Sequence, residues 1–120
     1  MNFIREFINA ALSGRQIGKG IKLTRQGKFE DALDHYKLAI AYESRSGAVP
    51  NPATREYLAR TYARLDKLKE ALETAEESYS LYKRLDSKNK LIVESLIRVE
   101  RFIAAVKSEN MDAINNLLTI

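Results

Sequence analysis

One sentence of this chain is written three times. Gly27-Lys28-Phe29-Glu30-Asp31-Ala32-Leu33-Asp34-His35-Tyr36-Lys37-Leu38-Ala39-Ile40 returns as Asp66-Lys67-Leu68-Lys69-Glu70-Ala71-Leu72-Glu73-Thr74-Ala75-Glu76. A fainter copy follows as Asn110-Met111-Asp112-Ala113-Ile114-Asn115-Asn116-Leu117. Ala32 to Ala71 spans 39 positions and Ala71 to Ala113 spans 42. In the first copy Phe29, Ala32, Leu33, Tyr36, Ala39 and Ile40 recur three and four apart, which makes one apolar helical stripe. Glu30, Asp31, Asp34 and Lys37 fall on the other side. A unit that repeats at this length cannot bury its stripe alone, so neighbouring copies must cover one another.

Composition supports helix almost throughout. Among 120 residues there are only five Gly and two Pro, with 45% hydrophobic and 30% charged side chains, the balance of an ordinary globular chain. Cysteine is absent and a single histidine is present. Disulfides, thiolate chemistry and cysteine-based zinc sites are thereby excluded, and no cofactor or metal is expected. The net charge is +4, but it is concentrated at one end. Residues 1–28 contain Arg5, Arg15, Lys19, Lys22, Arg25 and Lys28 against Glu6 alone, a bias toward acidic partners well short of a nucleic-acid stripe. There is no run of about 18 apolar residues that would span a membrane. Arg5, Glu6 and Asn9 interrupt the apolar N-terminus, so it does not read as a secretory signal. A cytoplasmic location is the expectation.

The periodicity predicts seven helices and no strand. Residues 2–12 place Phe3, Ile4, Phe7, Ile8, Ala11 and Leu12 on one face, expected to pack on the first repeat, with a self-association face or a membrane-surface helix as the alternatives. Ser13-Gly14 is expected to break that helix and Ser13 to cap the next, over 15–26. Gly18 and Gly20 lower helix propensity there by about 1 kcal/mol each, which predicts that they serve close packing. Gly14 to Gly20 has the outward form of a phosphate loop. Its spacing is one residue short, no Ser or Thr follows Lys19, and no strand precedes it, so nucleotide binding is set aside. A central helix follows over 29–45. Asn51-Pro52 then starts another, with Asn as cap and Pro in the first turn. Two longer helices run beyond Asp66-Lys67 and Asp86-Ser87, and a last short one ends at Leu117, Leu118 and Ile120.

Helix hairpins of this length with Ala at the crossing resemble tetratricopeptide repeats. The first copy matches with Gly20 and Leu23, then Phe29, Ala32, Tyr36 and Ala39. The second matches with Leu58, Ala59 and Tyr62, then Leu68, Ala71 and Ala75, with Ser78 where the last Ala would be. The third keeps Ala113 and Ile114 without the aromatic. The spacing exceeds the family's usual length and is similar to the longer variety found in kinesin light chains and bacterial peptide-sensing regulators. The resemblance implies one all-α domain over 1–120, its antiparallel hairpins stacked as a short right-handed solenoid. Within it stand an N-terminal helix (1–12), repeat 1 (13–50), repeat 2 (51–86) and a degenerate repeat 3 (87–120).

The resemblance also implies a non-enzymatic scaffold that binds a peptide or protein segment on the concave wall made by first helices. That wall would hold Ile21, Thr24 and Arg25, then Glu56, Tyr57, Arg60 and Arg64, and Arg98 from the third repeat. Arg60 and Arg64 are four apart, hence on one face, and their forks suit a carboxylate or phosphate. The plainer alternative has them solvated or paired with Glu56 and Glu94. The chaperone-carboxylate clamp of some family members is missing, since Ile17 and Ile21 stand where its first pair belongs. His35, with no companion nucleophile or metal ligand, reads as structural, and an enzyme is not expected. Two rival readings are a self-assembling module and a basic nucleic-acid-associated helical domain. The apolar Leu117, Leu118 and Ile120, with no following element to cover them, predict a homodimer through the C-terminal hairpin.

Overall fold

The computed structural model describes residues 2–119. Among them are six helices and no strand: α1 (Phe3–Arg25), α2 (Phe29–Ser46), α3 (Pro52–Arg64), α4 (Leu68–Lys83), α5 (Lys90–Ser108) and α6 (Met111–Leu118). The chain divides into two compact units, Met1–Pro50 and Asn51–Ile120.

The first unit is the hairpin α1–α2, and it corrects the expectation of seven helices. Ser13-Gly14 does not interrupt the N-terminal helix. Asn2 caps α1, its side chain accepting from the Arg5 amide at 3.0 Å. The Ser13 hydroxyl, instead of capping a second helix, donates to the Ala39 carbonyl at 2.8 Å. The face of α1 turned inward is Asn9, Ser13, Gln16 and Gly20, an unbroken spacing of three and four that runs straight through the supposed break. Small and amide side chains allow the close approach that bulky ones would prevent.

A second correction follows. The apolar stripe of α1 points outward, with Phe3 80%, Ile4 71%, Phe7 71% and Ile8 51% exposed. The crossing itself is made at Gly20. A Cβ there would lie 2.5 Å from the Tyr36 ring, whereas one at Gly18 would meet nothing within 4 Å. Close packing therefore accounts for Gly20 and not for Gly18. Ala32, Tyr36 and Ala39 of α2 are fully covered.

The second unit repeats the hairpin as α3–α4 and adds α5 and α6. Asn51 caps α3 as expected, accepting from the Ala53 amide at 2.9 Å. Both hairpins turn alike. Gly27 has φ 73° and Asp66, 39 positions on, has φ 60°; the left-handed region suits Gly and is tolerated by Asp. In each turn the next lysine amide reaches back at 2.9 Å, from Lys28 to the Leu23 carbonyl and from Lys67 to that of Tyr62. Ala59, Ala63, Ala71 and Ala75 form the small-residue seam between α3 and α4, closed by Phe102, Val106, Ile114 and Leu118. Helix α6 packs on both α5 and α3. Leu118 is buried and Leu117 packs beside the same core. This corrects the picture of an uncovered C-terminal stripe, because α6 folds back on α3. The predicted contact of Ile120 lies outside the described residues.

Candidate binding cleft on the second unit

Helix α3 sends Ala53, Glu56, Tyr57 and Arg60 toward one side, a spacing that keeps them along a single helical face. Tyr82 from α4 and Arg98 from α5 complete the lining of a cleft of about 460 Å³. Glu56 is its electrostatic centre. Its Oε2 accepts from Arg98 Nε at 2.5 Å, and its Oε1 accepts from Arg98 Nη2 at 2.8 Å, a fork-to-fork pair. The Tyr82 hydroxyl donates to the same Oε1 at 2.9 Å. Arg98 Nη2 also donates to Ser95 Oγ at 3.1 Å. Three helices, α3, α4 and α5, are thus tied at one carboxylate.

The groups respond to this environment. Burial raises the Tyr82 hydroxyl to about 12, with the charge of Glu56 and the hydrogen bond to it adding in the same direction. The hydrogen bonds to Glu56 push Arg98 above its ordinary range. Arg60 moves the other way, lowered mainly by burial and then by the like charges of Arg64 and Arg98, with Glu56 opposing. A cation held under that strain gains from a further anionic neighbour.

The expected wall is only partly assembled here. Glu56, Tyr57, Arg60 and Arg98 come together in the cleft. Arg64 is turned to the end of α6, donating to the Leu118 carbonyl at 2.5 Å, while Arg60 Nη2 donates to the Leu117 carbonyl at 2.7 Å. Both arginines therefore bind the unpaired carbonyls at a helix C-terminus, where cations are favoured. Glu94, on α5, lies 4.0 Å from Lys90. Ile21, Thr24 and Arg25 belong to the first unit. There Ile21 is half-buried and Arg25 exposed. Thr24 Oγ1 donates to the Gly20 carbonyl at 2.9 Å and lies 3.1 Å from the Tyr36 hydroxyl. His35 Nδ1 is 2.6 Å from Oε1 of buried Gln16.

Three groups escaped sequence reasoning. Helical spacing puts Tyr82 on the apolar stripe of α4, and the residue is buried, but its hydroxyl donates to Glu56. The carbonyls of Leu117 and Leu118 carry no sequence signal at all, since every residue has one.

No protein-family model, no curated protein and no solved structure matches this chain. Among the described residues, no helix is long and apolar enough to cross a membrane.

Proposed function

We propose that this protein is a non-enzymatic binding module of the tetratricopeptide kind, a short solenoid of helix hairpins that grips an acidic peptide or protein segment. The observation that carries this reading is the cleft around Glu56. Tyr57 is 39% exposed at its edge, an aromatic surface for an apolar side chain. Arg60 offers the rest of its guanidinium beside it, having given one N–H to the Leu117 carbonyl. Arg98 is held in place by Glu56 while its own side chain stays 47% exposed. An aromatic next to two oriented arginines is the combination that anchors peptide segments at interfaces. The two hairpins with matching turns and small-residue crossings support the repeat reading.

The test uses fluorescence anisotropy with a panel of acidic, neutral and basic peptides. Acidic peptides should bind, with affinity falling as salt is added, because exposed charges are screened within about 10 Å at 0.1 M. Tyr57→Ala should weaken binding about tenfold or more. Indifference to peptide charge, to salt and to Tyr57 together would defeat the proposal.

A further inference from the structure

The outward face of α1 divides into two halves. Phe3, Ile4, Phe7, Ile8 and Ala11 occupy its first turns, all exposed. Arg15, Lys19, Lys22 and Arg25 continue the same face at helical spacing, also exposed. Gly14 and Gly18 lie between them with open space beyond their Cα atoms. The opposite side of the helix, Asn9, Ser13, Gln16 and Gly20, is consumed by α2. Only Glu6 opposes the cations along this helix.

We propose that this face of α1 lies on an anionic lipid bilayer surface. The two Phe and two Ile enter the boundary between headgroups and acyl chains, and the four cations meet lipid phosphates and carboxylates. A helix of 23 residues presents about 34 Å of such a surface. An in-plane amphipathic helix draws its affinity from both terms, apolar insertion and attraction to anionic lipid. Long basic side chains suit this role, since their stems follow the apolar boundary while the charges stay in water.

A second copy of the chain fits the face less well. The four large side chains offer on the order of 500 Å², below the roughly 800 Å² per partner of a standard interface. Pairing two α1 helices side by side in parallel would also bring the two basic rows together. A lipid surface has neither difficulty.

The experiment is flotation of the full chain with phosphatidylcholine vesicles, with and without phosphatidylserine. The protein should float with the anionic vesicles, at least about tenfold more than with neutral ones, and should be released by high salt. Phe3→Ser with Phe7→Ser, and separately Lys19→Glu with Lys22→Glu, should each reduce flotation about tenfold or more. Circular dichroism should be unchanged in both variants, since these side chains are exposed. Equal flotation with both vesicle types, or none with either, overturns the proposal. Light scattering that shows a dimer dissolved by the Phe3 and Phe7 changes, without flotation, assigns the face to a second copy. Flotation retained by both variants places lipid contact elsewhere.

Discussion

The hydroxyl of Ser78 donates to the carbonyl of Pro52 at 2.8 Å, across the open end of the α3–α4 hairpin. Thirty-nine positions earlier the equivalent pair is Ala39 and Ser13, also joined at 2.8 Å, but with the hydroxyl on the first helix instead of the second. The repeat keeps the clasp and exchanges donor for acceptor. Both serines are buried, so each bond satisfies groups that have left water. Ser13→Ala and Ser78→Ala should each destabilise by about 0.5–1.5 kcal/mol, the usual net worth of a hydrogen bond. Urea unfolding measures this. A negligible effect at both would mean that the hairpins close without the clasp.

The crossings depend on small residues. Ala32 and Ala71 are 0% exposed, and Gly20 has no room for a Cβ against Tyr36. Ala32→Leu, Ala71→Leu and Gly20→Ala should each cost about 1–3 kcal/mol through overpacking. Ala10→Leu, on an exposed part of α1, should be nearly neutral. Equal behaviour of all four in denaturant would remove these positions as crossing points.

Arg60 and Arg64 hold the end of α6, so their loss should be felt as stability. Arg60→Gln with Arg64→Gln should destabilise the protein by about 1.5–3 kcal/mol, the range for hydrogen bonds involving charged groups. Hydrogen exchange should speed first in α6, which contacts α3 near these side chains. Unchanged exchange there would show that α6 is held by Ile114 and Leu118 alone.

Tyr82 supplies a pH dependence whose sign is determined. Its folded-state pKa is raised to about 12 from 10.0, so the folded protein keeps a proton that the unfolded chain releases. Its contribution is complete below about pH 10 and is lost as pH rises from about 10 toward 12. Tyr82→Phe should flatten the fall in stability over that window. It should also lower stability at neutral pH, because Glu56 loses a donor. Parallel alkaline profiles for the two proteins would separate Tyr82 from the Glu56 cluster.

Local rules were enough for much of this protein. Helix everywhere, Asn51-Pro52 as a start, Gly27 and Asp66 as turns, and Ala32 and Ala71 as buried small residues all follow from periodicity, caps and backbone sterics. These act within a few positions, so they are written where they act. Part of the cleft was legible for the same reason: Glu56, Tyr57 and Arg60 share one helical face by spacing alone. What α1 buries was not. Its apolar stripe and its small polar stripe are both regular, and periodicity does not rank them. The choice fell to Gly20, whose missing side chain admits Tyr36, and to Ser13, which finds the Ala39 carbonyl. Likewise, Arg60 and Arg64 could be placed on a face but not given a partner. Their partners are backbone carbonyls of α6, more than fifty residues away, brought near only when that helix folds back to bury Ile114 and Leu118. Sequence pattern sets which stripes exist, and tertiary packing selects among them because burial is decided by the surface each stripe meets.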